Sequence, residues 1–244
     1  MKQSPKSPDY SGLKELINNE IGLPTYNKSI VNIFIEELNG EKCVVDFGAG
    51  IGILANIYEK KTGIKPICVE IDKENRKFLL ERGFKFYDNI SEIGSAVDGV
   101  FSSNVMEHIE DDLEVLRNIK KYMKTGSKLV LYLPAFPILY SDLDKAVGHY
   151  RRYTKKDISD KLRKAGFLIE KIYFADSIGF FASLAVKILG CKSVDVLGNL
   201  KTLKFYDSVI FPISKVFDTI GLQYLFGKNI VIIAKTPQSY CERG

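Results

Sequence analysis

A glycine-rich segment, residues 44 to 53, has the clearest chemical meaning in the chain. A short β-branched run ends in Asp46, glycines follow at positions 48, 50 and 52, and a helical pattern begins at Leu54. Glycines adopt backbone angles that other residues avoid, and they let the backbone approach a ligand closely. The free N–H groups at the start of the helix favour an anionic or carboxylate-bearing ligand. We therefore predict a strand, a tight turn and a helix that together hold a cofactor.

Glu70, at the end of the next predicted strand, is suited to binding a nucleoside. It follows Gly50 by about 20 residues, the spacing at which dinucleotide-type folds place an acid that binds ribose hydroxyls. A nicotinamide or flavin dinucleotide would need a small residue at position 53, where this chain has Ile53. The glycine spacing therefore favours another nucleoside cofactor, and a dinucleotide-dependent oxidoreductase is the alternative.

The segment Val45–Gly52 resembles the first motif of the class I S-adenosylmethionine-dependent methyltransferases. The resemblance continues through Glu70 and Asp88 to Asn104–Ile109 and covers roughly residues 42 to 174. It implies S-adenosylmethionine as the cofactor and an α/β fold. The implied fold class is a Rossmann-like, seven-stranded methyltransferase sheet, mostly parallel with an antiparallel last strand, plus a helical insertion between strands 6 and 7.

The resemblance also implies roles for the cofactor-binding positions. Asp46 would organise the turn or bind the ammonium of the cofactor, Glu70 would bind the ribose, and Ile71 and Asp88 would contact the adenine. Asp88 could instead form an Asx turn. Tyr26 would be a lid contact, although a tyrosine at such a position more often packs in the core. The full predicted set is Asp46, Gly48, Ala49, Gly50, Glu70, Ile71, Asp88, Asn104 and Tyr26.

The only two histidines in the chain, His108 and His149, are the candidate catalytic residues. A histidine titrates near neutral pH and suits general-base catalysis, which methylation of an aliphatic hydroxyl requires. We predict that His149 is the base. His108, in the turn Glu107–Ile109, could instead cap the next helix. No metal ligands are predicted.

Residues 134 to 154 form an irregular stretch of about 20 residues, and connections of this length are usually functional or disordered. Its aromatic and charged residues argue against disorder and favour an acceptor-facing loop. Together with the Glu-His-Ile turn, its Gly-His-Tyr-Arg-Arg-Tyr-Thr end resembles a bacterial subgroup of methyltransferases that modify small molecules, sugars or lipids. Arg151 and Arg152 could clamp a phosphate or carboxylate, or pair with Asp142 or Asp144. The predicted acceptor-binding residues are Tyr140, Tyr150, Arg151 and Arg152.

Alternating strand and helix patterns divide the chain into four parts. These are an N-terminal extension (1–25), a cofactor-binding core (26–174), a helical lid or insertion (175–228), and the last strand and tail (229–244). Residues 1 to about 11 are predicted to be disordered. The insertion is rich in apolar and aromatic residues with interleaved lysines. It could enlarge the core, line an apolar acceptor pocket, or dock on a membrane surface.

The composition of the 244 residues, 45% hydrophobic and 27% charged, is that of a folded soluble protein. The net charge of +5 is modest and no dense Lys/Arg block occurs, so no nucleic-acid partner is expected. The four scattered cysteines predict reduced core thiols. Residues 1–10 are polar and contain proline, so we expect no secretory signal, and no uncharged apolar run reaches the roughly 18 residues that span a bilayer. We expect a cytoplasmic protein, or one held peripherally at the inner membrane face through residues 175–228.

These patterns together predict an S-adenosylmethionine-dependent methyltransferase that acts on a small or lipid- or sugar-linked acceptor, with oxygen as the methylated atom. Two alternatives stay open at this point. One is the dinucleotide-dependent oxidoreductase, and the other is a non-catalytic module that binds S-adenosylmethionine or docks on a membrane. The oligomeric state is not predicted.

Overall fold

The computed structural model describes residues 12–188 and 199–238. Its centre is one seven-stranded sheet with the strand order β3-β2-β1-β4-β5-β7-β6. The strands are β1 (Val44–Phe47), β2 (Ile67–Val69), β3 (Phe86–Tyr87), β4 (Val97–Ser103), β5 (Met123–Pro134), β6 (Leu168–Ala175) and β7 (Asn229–Lys235). The expectation of disorder for residues 1–11 lies outside the described residues.

Helices accompany the strands along the chain. The α-helices are α1 (Leu13–Gly22), α2 (Pro24–Glu37), α3 (Ile53–Thr62), α4 (Lys73–Glu81), α5 (Asp112–Lys121), α6 (Asp142–Ala146), α7 (Lys155–Lys164), α8 (Ser177–Ile188), α9 (Leu200–Phe205) and α10 (Phe211–Thr219). Short 3₁₀ segments lie at Ile90–Ile93, Met106–His108, Pro137–Leu139 and Leu222–Tyr224, and a π-helical segment, Tyr206–Ile210, joins α9 to α10.

The predicted sheet is confirmed. β1 to β5 pair in parallel, whereas β7 runs antiparallel to both β5 and β6. Residues Ile230–Ala234 of β7 are all fully buried, as expected for a strand covered on both faces. In a parallel sheet, ligands bind outside the carboxyl ends of the strands. That edge carries the glycine turn, and β7 begins at the same edge because it is antiparallel.

The two faces of the sheet carry separate hydrophobic clusters, because alternate side chains of a strand point to opposite faces. On β5, Leu129 and Leu131 belong to the first cluster, whereas Val130 and Tyr132 belong to the second. Helix α2 packs on the second face through the fully buried Phe34. The sheet is therefore rigid beneath the edge where a ligand would bind.

β5 begins at Met123 and shifts its register against β4 between Val97 and Gly99. One local prediction is corrected. Residues 134 to 154, predicted as irregular, contain α6, which begins with a capping box of Ser141 and Asp144. At the start of α7, the Thr154 hydroxyl accepts a hydrogen bond from the Asp157 N–H at 3.0 Å.

The insertion is helical where it is described, through α8, α9 and α10. It is tied to α2 by Asp207, whose carboxylate accepts hydrogen bonds from the backbone N–H groups of Thr25 and Tyr26 at 3.0 and 2.8 Å. None of the helices in the described ranges is both long and apolar enough to cross a bilayer. Cys43 and Cys68 are free thiols, while Cys191 and Cys241 lie outside the described residues.

Candidate active site

The glycine turn after β1 requires glycine for two physical reasons. The backbone is left-handed at three positions, with φ values of 79, 55 and 81° at Gly48, Gly50 and Gly52. Residues that carry a side chain rarely adopt such angles. A Cβ on Gly48 would lie 2.3 Å from Cγ2 of Val105, so the turn packs directly against the segment after β4. The turn is fixed at the carboxyl edge by hydrogen bonds from Gly48 and Ala49 to the carbonyl oxygen of Val69 at 2.8 and 3.1 Å.

Glu70 reaches the same turn from β2. Its Oε2 accepts a hydrogen bond from the Gly50 N–H at 2.7 Å, and its Oε1 accepts one from the Asp72 N–H at 2.8 Å. Burial raises the pKa of Glu70, and these two hydrogen bonds oppose the rise. The carboxylate is thus held at the turn, which is the position that a ribose-binding acid requires.

Asp46, at the end of β1, has unused hydrogen-bonding capacity. Its Oδ2 is buried and has no hydrogen-bond partner among the described residues. Burial, with a smaller effect of the neighbouring Glu70, raises the pKa of Asp46 to about 8. A buried acceptor of this kind fits a ligand that brings a cationic ammonium or other donor. The turn, Asp46 and Glu70 therefore fit S-adenosylmethionine.

The other predicted cofactor residues lie in different surroundings. Ile71 is 64% exposed, and the exposed Asp88 forms an ion pair with Arg76. Asn104 is exposed at the end of β4 with a φ of 53°. Tyr26 is buried, and its hydroxyl is within 3.0 Å of the Tyr132 hydroxyl and accepts a hydrogen bond from Asn229.

Helix α1 covers part of the cofactor turn, which the sequence did not indicate. A Cβ on Gly50 would lie 3.2 Å from Cδ1 of Leu16. The far end of α1 contacts the insertion, where Gly22 fits against Leu203 of α9 with no room for a side chain. α1 therefore connects the cofactor turn to the insertion.

Glu107, His108 and His149 meet beyond the end of β4. Nε2 of His149 lies 3.9 Å from Oε1 of Glu107, and the centroids of the two imidazole rings are 4.6 Å apart. Glu107 is fully buried, neither of its carboxylate oxygens has a hydrogen-bond partner among the described residues, and burial raises its pKa to about 7. Both predicted catalytic histidines therefore come together, with a glutamate that the sequence showed only as part of a motif.

Asp144 holds the loop that carries His149. Its Oδ1 is 2.8 Å from Nδ1 of His149 and accepts a hydrogen bond from Nε of Arg152 at 2.8 Å. Burial opposes ionisation, but the bond to His149 and the charge of Arg152 hold the pKa of Asp144 well below its usual range. Arg152 therefore pairs with Asp144, which the sequence analysis gave as the alternative to binding a phosphate or carboxylate. Arg151 instead forms an ion pair with Asp112 at 3.0 Å.

Two basic side chains at this edge, Arg152 and Lys228, could bind an anionic ligand. Nη1 of Arg152 is buried without a hydrogen-bond partner in the described part of the chain. Lys228, immediately before β7, forms no ion pair with any described residue. Burial lowers the pKa of its amine, and the positive charge of Arg152 lowers it further. The charges of Asp176 and Asp144 act in the opposite direction. No sequence pattern indicates a role for Lys228, because its neighbours come together only in the fold.

The two tyrosines predicted to bind the acceptor, Tyr140 and Tyr150, form hydrogen bonds with the backbone of the site. The Tyr140 hydroxyl donates to the carbonyl oxygen of His149 at 2.7 Å, and the Tyr150 N–H donates to the carbonyl oxygen of Glu107 at 2.8 Å. Each bond links the loop to the residues that carry the histidine and the glutamate. These tyrosines therefore help to position the site.

Comparisons with known proteins identify the family and the fold. The sequence profile of the family described as "Methyltransferase domain" matches residues 22–172. A SAM-dependent methyltransferase from Archaeoglobus fulgidus is 24% identical, with 91% of this chain and 98% of that one covered and a TM-score of 0.62. No curated protein sequence matched significantly.

Two further solved structures share the fold at lower identity. Phosphoethanolamine N-methyltransferase 2 from Haemonchus contortus, in complex with phosphomonomethylethanolamine and S-adenosylhomocysteine, is 18% identical, with 86% of this chain and 53% of that one covered and a TM-score of 0.57. A possible histamine N-methyltransferase from Thermotoga maritima is 17% identical, with 88% of this chain and 90% of that one covered and a TM-score of 0.56.

The chain belongs to the methyltransferase domain family, because the matched residues span more than half of its length. With the glycine turn, Asp46 and Glu70 in place, it is an S-adenosylmethionine-dependent methyltransferase. The dinucleotide-dependent oxidoreductase and the non-catalytic module are therefore set aside.

Proposed function

We propose that this methyltransferase methylates an oxygen atom of a small or lipid- or sugar-linked acceptor that carries an anionic group. The observation that carries the proposal is a cluster of ionisable groups at one edge of the sheet, among which Glu107 and Arg152 have buried atoms without a hydrogen-bond partner in the described part of the chain. Glu107 and His149 are close together at this edge. The positive charge of Arg152 influences both Glu107 and the amine of Lys228. The pair of Glu107 and His149 suits a hydroxyl that must lose a proton, and the two basic groups suit a phosphate or carboxylate.

The cofactor half of the reaction needs little acid or base chemistry from the protein. S-adenosylmethionine, when bound, supplies an electrophilic methyl carbon. The chain contributes the glycine turn, the Glu70 carboxylate for the ribose hydroxyls and the buried Asp46 for the ammonium. Its main task is then to align the acceptor, because in-line displacement depends strongly on orientation.

The acceptor half requires help with a proton. An aliphatic hydroxyl has to lose its proton as it is methylated, whereas an amine needs less assistance. The Asp144–His149 hydrogen bond orients the imidazole so that Nε2 is the nitrogen near Glu107. This arrangement favours an oxygen acceptor, and it supports the prediction that His149 assists deprotonation.

The surface of the insertion supports a lipid-linked acceptor at an anionic membrane surface. Large apolar side chains are exposed along it: Phe181, Ile188, Phe205, Val209, Ile213, Val216, Phe217, Ile220, Tyr224 and Leu225. The exposed charges of its described part are Lys187, Lys201, Lys204 and Lys215, whereas the carboxylates of Asp207 and Asp218 are buried. In the described part of the insertion, an apolar face bordered by lysines suits insertion among anionic headgroups better than contact with a second copy of the same positive face.

The insertion also contacts the acceptor loop. Nζ of Lys187, on α8, donates to the carbonyl oxygen of Ile138 at 2.5 Å, and Ile138 is itself 63% exposed. The ring of Phe180 packs against Phe136 with a centroid distance of 5.1 Å. A lipid headgroup held by α8 would thus lie beside the loop that carries His149.

The test is a turnover assay with radiolabelled S-adenosylmethionine on a bacterial lipid extract and on a fraction of soluble metabolites. We expect label in an anionic product, and mass spectrometry of that product identifies the methylated atom. Lys228→Met should raise KM for that acceptor about tenfold with little change in kcat, because the lost contact is to a bound anion. Lys60→Met, an exposed lysine on α3, is the control. A neutral acceptor, or an unchanged KM in Lys228→Met, would contradict the anion-binding role.

A further inference from the structure

Glu107, His108 and His149 place three potential metal ligands in one small volume. One donor atom from each residue lies within 4.8 Å of the other two. Ligands of a single Zn²⁺ or Mn²⁺ ion lie about 3–4 Å apart, since each is roughly 2 Å from the metal. The separation of 3.9 Å between Nε2 of His149 and Oε1 of Glu107 falls in that range.

The carboxylate of Glu107 needs a cationic or donating partner. The side chain is completely buried, and both oxygens have no hydrogen-bond partner within the described ranges. Buried polar atoms are nearly always satisfied, and an ionised carboxylate without a partner is costly. The carbonyl oxygen of Glu107 accepts a hydrogen bond from the Tyr150 N–H, which holds the backbone of Glu107 beside the loop that carries His149.

His149 is oriented in the manner of a metal ligand. Its Nδ1 is hydrogen-bonded to Asp144, and its backbone N–H donates to the Asp144 carbonyl oxygen at 2.8 Å. Metal-binding histidines usually give their second nitrogen to such a carboxylate, which fixes the tautomer and the ring. Arg152 partly neutralises Asp144, so the carboxylate orients the imidazole without itself being a ligand.

We propose that Glu107, His108 and His149 bind one divalent transition-metal ion, with coordination positions left for an oxygen of the acceptor. Two imidazoles and one carboxylate favour Zn²⁺, Mn²⁺ or Co²⁺ over Mg²⁺ and Ca²⁺, which prefer oxygen ligands alone. The catalytic consequence rests on the proposed function: the ion would bind the acceptor hydroxyl and lower its pKa, so His149 would act as a ligand in place of a direct base.

The test is metal binding to the full-length protein after treatment with a chelator. Calorimetric titration with ZnCl₂ or MnCl₂ should show one ion per chain, and CoCl₂ should give a visible absorption band. Glu107→Gln keeps the side-chain shape, and His149→Asn keeps a polar group but removes the Nε2 ligand atom; both should weaken Zn²⁺ binding at least about 100-fold. Glu110→Gln, an exposed glutamate in the same turn, should bind like the parent.

Binding of S-adenosylhomocysteine separates this inference from the proposed function. Each variant should bind the nucleoside with the parent affinity, which shows that it is folded and that the cofactor site is intact. Absence of a stoichiometric metal site in the parent protein, or equal Zn²⁺ affinity in Glu107→Gln, would overturn the inference. Retention of full turnover in metal-free protein would overturn the catalytic consequence and leave the methyltransferase assignment unchanged.

Discussion

Asp46 keeps a carboxylate in the core at a cost to stability. Its pKa of about 8 lies above its ordinary value of 3.8, so the folded state holds a proton that the unfolded chain releases. The contribution of this group to stability therefore falls as the pH rises from about 4 to about 8. Such a cost is expected where a residue serves binding and not folding.

Replacing Asp46 by asparagine should separate these two effects. We expect Asp46→Asn to raise Tm of the cofactor-free protein by a few degrees near neutral pH, because folding no longer requires a carboxylate that is ionised in the unfolded chain to take up a proton. The same change should weaken binding of S-adenosylhomocysteine about 10- to 100-fold, because the amide cannot pair with an ammonium as an anion does. Calorimetry measures both quantities, and Asp160→Asn on α7 is the control. A lower Tm together with unchanged affinity would contradict both roles.

His149 is the residue whose loss should affect turnover most directly. His149→Ala should lower kcat/KM about 100-fold or more, because assistance with the acceptor's proton is lost whether the imidazole acts as a base or as a ligand. Affinity for S-adenosylhomocysteine should stay within a few fold of the parent. Initial rates measured over a pH range from about 6 to 9 provide the check. A kcat/KM within a few fold of the parent across that range would show that His149 does not assist the reaction.

Helix α1 is the element that bears on cofactor exchange, because Leu16 lies against the glycine turn at Gly50. Leu16→Ala should shorten the residence time of S-adenosylhomocysteine severalfold, since less of α1 then covers the site. If product release limits turnover, kcat should rise as well. Stopped-flow fluorescence with a competing nucleoside measures the dissociation rate. Leu80→Ala, an exposed leucine on α4, controls for surface changes, and equal rates in Leu16→Ala and the parent would contradict a gating role.

The exposed apolar side chains of α8 and α10 should determine whether the protein binds to anionic membranes. Val216→Ser combined with Ile220→Ser should reduce the fraction of protein that floats with vesicles of anionic phospholipid severalfold, and neutral vesicles should bind little protein. The matched control is Leu80→Ser combined with Leu168→Ser, which removes exposed apolar groups from other elements. Flotation that is insensitive to the insertion variant would contradict docking through this face. A concentration-dependent dimer lost in the same variant would instead identify a second copy as the partner.

At the scale of the whole molecule, ligand binding should be visible as thermal stabilisation. S-adenosylhomocysteine at 100 times its Kd should add about 2.7 kcal/mol to the free energy of unfolding, which corresponds to a Tm increase of roughly 5–10 °C for a chain of this size. Glu70→Gln should lose much of that increase at the same ligand concentration. Differential scanning calorimetry measures the shift, with Glu92→Gln as the control. An equal Tm increase in Glu70→Gln would contradict the ribose-binding role.

The sheet and the cofactor turn could be predicted from the sequence because their determinants are local. Glycine spacing fixes the turn after Asp46, and a continuous apolar run such as Ile230–Ile233 can only be a buried strand or a short buried helix. The position of Glu70 follows from a spacing that the fold imposes. The start of β5 cannot be predicted in this way, because Gly126 and its polar neighbours have turn composition and lie where the register between β4 and β5 shifts.

The acceptor half of the site could be predicted only in part, because it is assembled by contacts between distant segments. Both histidines were recognised from their residue type alone. Glu107 and Lys228 gain their meaning from burial and from neighbours that lie far away in sequence. The packing of Leu16 on Gly50 likewise depends on tertiary structure, since a helical pattern does not say which neighbour it covers.

The position of β7 between β5 and β6 has a consequence for synthesis of the chain. Translation produces β5 and β6 well before residues 229–235, so for that interval both strands have open edges and an apolar surface that nothing covers. The nascent polypeptide would then depend on chaperones until its final strand leaves the ribosome. A premature stop codon anywhere in the insertion would release a fragment that aggregates and is degraded.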